Sequence, residues 1–250
     1  MNSSGHWSRW TDRKTASVVG VLFIIGTVSG VLMFPAAGNL LVAPDRLTAI
    51  AANEGRMIAA TLLKFIMGVA CAGIGLALYP VLRKYNGGLA IGAAGFRVIE
   101  GVVDILGALG LVTLLALSQE FVKAGAPESS YFQTADALIN AGTGWLTNWA
   151  MLVTWCIGAL MYYAVFYQFR LVPRWLTIWG LVGITLTTIG AVLVLFRLIP
   201  ALGGVQMGLN LPILVQEMVL AAWLIARGFD TGAMATRPVM EPSLNAAHAL

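Results

Sequence analysis

The hydrophobic pattern of the chain is a series of long apolar runs with short polar punctuation between them. A helix needs about 20 apolar residues to cross a bilayer. Six runs reach that length: Ala16–Phe34, Met57–Leu82, Leu89–Leu117, Trp145–Phe169, Trp175–Ile199 and Val205–Ala226. The connections alternate in kind. "RKYNGG" and "RLVPR", after the second and fourth runs, predict tight turns, because Asn86-Gly87-Gly88 and Pro173 stop one helix and release the next. The connections at the other end are longer. "NLLVAPDRLTAIAANEGR" predicts a short helix started by Pro44-Asp45, and the loop after the third run predicts another around Tyr131–Asn140. These loops read first as connectors, with caps over a cavity as the alternative. The predicted fold class is therefore all-α: a polytopic integral membrane protein with a bundle of six transmembrane helices over residues 16–229. A short tail precedes it at 1–15, and a disordered tail without periodicity follows at 230–250.

Composition narrows this further. The chain is 59% hydrophobic and 10% charged, whereas a soluble domain is about 25% charged. Its mean hydropathy is +0.84. The residues needed for a polar shell around a soluble core are missing. The net charge of +4 is spread over short loops, which reads as topology and excludes nucleic acid as a partner. Arg9, Arg13 and Lys14 precede the first span, Arg83 and Lys84 follow the second, Arg170 and Arg174 follow the fourth, and Arg227 and Arg237 follow the sixth. The opposite side has Arg46, Arg56 and Lys123, with Arg197 at a helix end. The positive-inside rule then predicts that both termini are cytoplasmic. The first apolar run is longer than the about 7–15 residues of a signal-peptide core, so it reads as a retained helix.

The chemistry available inside the spans is limited. Cys71 and Cys156 lie in apolar runs and read as buried free thiols. His6 and His248 lie in the terminal tails, which argues against a histidine-ligated zinc or haem and against a Ser-His-Asp triad. No cofactor and no metal site is expected. Trp145, Trp149, Trp175 and Trp179 fall at span ends, as interfacial belt residues do. Gly26 with Gly30, and Gly88 with Gly92, are small-xxx-small pairs that predict close helix packing. Tyr162, Tyr163, Phe166 and Tyr167 with Trp155 read as bulk packing in span four, with an aromatic ligand wall as the alternative. "IGLALYPVLRKY" and "IGALMYYAVFYQ" form a weak internal echo, with Tyr79 opposite Tyr162.

Several separated phrases occur in one order: "LTAIAANE", "GIGLALYPVL", "GFRVIEGV", "ALSQEFVKAGAPESSYFQT", "YQFRLVPRWLTIWGLVG" and "NLPILVQEMVLAAWLI". Together they resemble the bacterial membrane family called domain of unknown function 4386. The resemblance runs from about span one to the end of span six and leaves both tails outside. It implies a six-span protein of the bacterial cytoplasmic membrane, with membrane lipids as partners. It implies no activity and carries no functional residues.

The site argument rests on charge. "GFRVIEGVVDILG" places Arg97, Glu100 and Asp104 at i, i+3 and i+7, on one helix face. An intramembrane charge costs from ~3 to more than ~10 kcal/mol against lipid, so this face should look inward. Lys64 in span two and Glu217 in span six carry the other interior charges. At ~1.5 Å per residue, Lys64 is ~27 Å and Asp104 ~24 Å from the inner helix ends, with Glu100 at ~18 Å, Glu217 at ~15 Å and Arg97 at ~13 Å. These depths predict Lys64–Asp104 and a pairing of Arg97 with Glu100 or Glu217. Two bases then face three acids. One carboxyl should be protonated, solvated, or partnered by a proton, a metal cation or a cationic ligand. The bland alternative is a protonated carboxyl bonded to Gln216, Asn210 or a backbone carbonyl. Pro212, in "NLP", removes a backbone donor beside Asn210 and predicts a kink in span six.

Three functions fit this sequence. The leading one is a protein that binds or transports a small molecule or ion, with Glu100, Asp104, Glu217, Lys64, Arg97, Gln216 and Asn210 as candidates among spans two, three and six. The second is an intramembrane enzyme acting on a lipid or isoprenoid, which ranks lower because no activated nucleophile or diphosphate motif is present. The third is a structural or regulatory protein whose charges only fix helix packing.

Overall fold

The computed structural model describes residues 3–127, 131–201 and 203–230, with side chains from residue 12 onward. The tail expected to be disordered lies outside the described residues, apart from Asp230. The described chain is helical throughout, without a strand. Six helical stretches are long and apolar enough to cross a membrane.

The first stretch is α1 (Ser3–Met33), which passes through a π-helical segment (Phe34–Gly38) into α2 (Asn39–Leu41). The helix thus starts well before Ala16 and continues beyond Phe34. Pro35 lacks the N–H that a regular helix would use there, and the wider π turn absorbs the mismatch. The short helix expected after Pro44-Asp45 is α3 (Arg46–Ala52). Span two is α4 (Glu54–Leu82) and span three is α5 (Gly87–Lys123). The turn between them is capped by Asn86, whose side chain accepts from Leu89 N at 3.0 Å. The helix expected at Tyr131–Asn140 is α6 (Tyr131–Trp145), and it does not end there. A second π-helical segment (Leu146–Met151) joins it to α7 (Leu152–Phe169). Span five is α8 (Arg174–Leu195), shorter than expected because Arg197 takes a left-handed φ of 57° and ends the helical run before Ile199. Span six is α9 (Gly204–Ala226).

The spans close into a ring in which α1 touches α4, α4 touches α5, α5 touches α7, α7 touches α8, α8 touches α9, and α9 returns to α1. Short connections force antiparallel neighbours, so the ring follows chain order. One end, here the terminal face, carries Asp12, the α4–α5 and α7–α8 turns, and Asp230. Asp12 bonds Lys84 at 2.6 Å, and Asp230 N donates to Leu171 O at 2.8 Å, tying both ends of the described chain to that face. At the far face, α3 and α6 are clasped by a two-pronged pair between Arg46 and Asp136, with Arg46 Nε 2.9 Å from Oδ1. The long loops therefore dock on one another as well as connect.

Polarity is arranged inside-out. Leu62, Phe65, Val69, Leu76, Ile91, Val102 and Leu109 are exposed on the outer surface of the ring, while Lys64, Arg97, Glu100 and Asp104 are 0–3% exposed within it. Water would penalise that surface, and hydrocarbon does not. The main core lies toward the terminal face, where Phe23, Leu78, Tyr162, Tyr163, Phe166, Leu220 and Leu224 pack together. Tyr162, Tyr163 and Phe166 are thus bulk packing. Tyr167 is exposed and lies under Arg174, 5.4 Å from its ring centroid. The two tyrosines of the echo differ in burial: Tyr79 is half-buried beneath Arg83, and Tyr162 is fully buried.

Candidate functional site

The α4–α5 seam is unusually close, and glycine makes it so. A Cβ on Gly68 would sit 2.7 Å from Gly101 O, and one on Gly75 would sit 2.6 Å from Arg97 Cβ. Of the two pairs expected to mediate packing, Gly26–Gly30 faces α4, at Ala70, Cys71 and Met67; in the other, Gly92 faces Met161 of α7, where a Cβ would sit 2.5 Å from Sδ, whereas Gly88 meets Asn86 of its own turn. The close seam lets Lys64 thread its stem past Gly107, where a side chain would collide with it. Its Nζ then reaches Asp104 Oδ1 at 3.0 Å. This is the pairing that helix depth predicted. Both side chains are at most 2% exposed, and Asp104 Oδ2 has no hydrogen-bond partner among the described residues.

Arg97 pairs with Glu100, not Glu217. One nitrogen, Nη1, stands 3.0 Å from Oε2 and 3.3 Å from Oε1. This is an edge-on contact instead of the parallel two-bond fork that guanidinium and carboxylate prefer. Arg97 Nε and Glu100 Oε2 have no hydrogen-bond partner among the described residues. The guanidinium also lies 5.8 Å from the Phe23 ring centroid, within cation–π range. Cys71, read from sequence only as a buried thiol, places its sulfur within 4.8 Å of carboxylate oxygens of Glu100 and Asp104. Those ligand types suit a soft or borderline cation. Each carboxylate already has its own base, so a metal there would compete with Lys64 and Arg97.

Glu217 is the surplus acid. It forms no ion pair among the described residues, and its buried Oε1 has no hydrogen-bond partner. Thr27 and Trp155 are its side-chain hydrogen-bond partners, so the carboxylate is partly satisfied but lacks a base. Asn210, two turns away on α9, also buries an unpartnered oxygen, Oδ1. Gln216 does not join them. It accepts from Tyr163 Oη at 2.6 Å and donates to Leu176 O at 2.9 Å, so it is consumed in the α7–α8–α9 seam. It therefore leaves the set of candidates, along with the idea that it satisfies the surplus carboxyl.

A cavity of about 480 Å³ collects these groups. Its charged lining is Arg97, Glu100 and Glu217; Asn210 and Thr27 are polar; Phe23, Val31, Phe34, Met67, Trp155, Met207 and Leu214 are among its apolar walls. Lys64 and Asp104 do not line it. The site was expected among spans two, three and six, and the structure adds spans one and four. The span-one wall was missed because Gly26 and Gly30 read as packing residues. Thr27, a polar side chain in an apolar run, was the available signal. Two further cavities, of about 510 and 480 Å³, lie at helix ends beside Arg197 and beside Arg170, Arg174 and Arg227, and neither includes the interior charges in its lining.

The sequence profile of the family described as "Domain of unknown function (DUF4386)" matches residues 18–228. The chain belongs to the DUF4386 family. The match spans all the helices that form the ring and includes every residue of the charged cavity, so the cavity is part of the DUF4386 domain and not of an appended segment. No curated protein and no solved structure matches the chain. This DUF4386 protein is a multi-pass membrane protein, and its function has to be argued from the cavity.

Proposed function

We propose that this protein binds, and moves, a small molecule or ion at the charged cavity, with Glu217 as the anchoring group. One observation carries this reading: a drug-sized cavity contains a carboxylate that no base among the described residues pairs, with one buried oxygen, Oε1, left without a hydrogen-bond partner there. A buried, unpaired polar group is costly and persists where something else completes it. Pockets of about 300–1,000 Å³ with apolar walls and a few placed polar groups are the usual form of small-molecule sites. The Lys64–Asp104 pair favours a second role beside this one. It is buried, lies behind the cavity lining at Cys71 and Glu100 without joining it, and is locked by glycine packing, as expected of a pair that fixes helix register.

The same proposal places the protein in the bacterial cytoplasmic membrane with the terminal face inside. The support is charge: Arg83, Lys84, Arg170, Arg174 and Arg227 all lie at that face. The test of function is ligand-dependent thermal stabilisation of the purified full chain across a panel of amines, cations, carboxylates and neutral lipids. Stabilisation by some member that is lost in Glu217→Gln supports the reading. A panel in which nothing stabilises the wild type, or in which Glu217→Gln responds identically, removes Glu217 from it.

A further inference from the structure

We infer that the cavity takes a lipophilic monocation, an apolar molecule bearing one amine or quaternary centre, and that this ligand arrives sideways from the bilayer between α1 and α9. The inference rests on the reading of the cavity as a binding site and specifies what is bound and by what route.

The route follows from how α1 and α9 pack. Near the terminal face they touch so closely that a Cβ on Gly20 would sit 2.7 Å from Ala221 O and 2.8 Å from Ile225 Cγ1. Farther along they part. There α1 leans on α4: a Cβ on Gly26 would sit 3.8 Å from Ala70 and Cys71, and one on Gly30 3.0 Å from Met67 Sδ. In the same region α9 leans on α8: a Cβ on Gly183 would sit 2.8 Å from Ile213 Cβ, and one on Gly190 3.4 Å from Leu209 Cδ1. The gap left between the two helices is the mouth of the cavity. Val31 and Phe34 on the α1 side are 48% and 41% exposed, and Met207 and Leu214 on the α9 side are 52% and 37% exposed, yet all four line the cavity. A residue that is both lining and exposed marks an opening. These four sit along helices within the apolar belt, so the opening faces hydrocarbon.

Ligand class follows from charge and lining. The interior holds two bases and three acids, and the geometry uses both bases on Asp104 and Glu100. Glu217 leaves one negative charge, which one positive charge would balance. The mouth offers no charged side chain, so a strongly hydrated ion would lose its water there without compensation. An apolar body fits the mouth, and the Glu217 carboxylate, lacking a base, suits a cationic head.

Backbone irregularity points to the same place. The π-helical segment after α1 begins at Phe34, the one before α7 ends at Met151, and Pro212, inside the unbroken helix α9, withholds a backbone N–H between Asn210 and Ile213. Phe34, Met151, Asn210 and Ile213 all line the cavity. Helix irregularities of this kind concentrate at functional sites and persist in membranes where they border a cavity.

The test uses the full chain in lipid nanodiscs and tetraphenylphosphonium, a fixed lipophilic monocation. The comparisons are its uncharged silicon analogue and the hydrophilic tetramethylammonium ion. The expected result is saturable tetraphenylphosphonium binding, at least 10-fold tighter than either comparison compound. It should weaken at least 10-fold in Glu217→Gln and be retained in Glu217→Asp. Val31→Trp with Leu214→Trp should slow association and dissociation together, by at least 5-fold, with little change in affinity. Equal binding of the uncharged analogue overturns the charge assignment while leaving a small-molecule site standing. Equal binding of tetramethylammonium overturns the lipophilic class, and unchanged kinetics in the double tryptophan variant overturn the lateral route. Absence of binding by all three compounds overturns the inference, and if the wider ligand panel also fails, the binding reading falls with it. The comparison of the three compounds on the wild type needs no variant to fold.

Discussion

The Lys64–Asp104 pair gives a quantitative test of how the bundle is held together. The perturbation is Lys64→Met, which keeps an unbranched stem able to thread past Gly107 but removes the charge. In the native structure Nζ lies 3.0 Å from Oδ1, with side-chain exposure of 2% and 0%. At that separation and an effective dielectric of 20, the attraction is about 5.5 kcal/mol, which sets the upper scale. Removing one partner of a buried pair leaves the other uncompensated and costs about 3–5 kcal/mol. Here the stranded Asp104 has no second donor to turn to, since Oδ2 already lacks a partner. The single variant should therefore lose most of that range. Adding Asp104→Leu removes the stranded charge, and an apolar replacement of a buried pair is close to neutral. The double variant should return to within about 1 kcal/mol of wild type, giving a coupling of at least about 2 kcal/mol. The assay is reversible unfolding in mixed detergent micelles for the four proteins of the cycle. A double variant as unstable as the sum of the singles would mean that the two groups do not act as a pair, and the account of the seam would be wrong.

Three further outcomes follow from the geometry. Gly101→Ala should destabilise by more than about 2 kcal/mol, because its methyl would press on the α4 backbone at Gly68. Gly95→Ala, with open space around it, should stabilise by about 0.5–1 kcal/mol, and both are read from thermal midpoints; a Gly101 variant as stable as the Gly95 variant would refute the close seam. Glu217→Gln should raise the stability of the ligand-free protein by about 1 kcal/mol, since it removes a carboxylate that no base among the described residues pairs while an amide oxygen can still accept from Thr27 and Trp155, and a lowered midpoint would show that Glu217 is structurally satisfied. Arg46→Ala should cost about 1–2 kcal/mol, less than a fully buried pair because Arg46 and Asp136 keep 19% and 12% side-chain exposure. It should do so without changing ligand binding, and a binding defect in that variant would assign the far-face clasp to the site.

Legibility differed between elements for physical reasons. The six spans were readable because hydrocarbon demands long apolar runs regardless of what packs against them. Lys64–Asp104 was readable because depth along a straight helix is a count of residues. The partner of Arg97 was not, because Glu100 and Glu217 lie at similar depth and only the rotation of α9 about its axis separates them. Gln216 and Glu217 are neighbours in sequence, yet about 100° of helical rotation sends one into the α8 seam and the other into the cavity. The continuation of α6 into α7 was hidden by the Gly142-Thr143-Gly144 stretch, which read as the end of a loop.

The sequence by itself determined that this is a six-helix membrane domain whose interior holds one more acid than base, since composition, run length and charge count need no coordinates. Only the tertiary structure decided that Glu217 is the odd carboxyl, that α1 and α7 complete its cavity, and that the cavity opens between α1 and α9. Those facts depend on the axial rotation and divergence of helices. Both are set by where glycines let backbones approach, and an apolar sequence records the glycines without recording which neighbour each one meets.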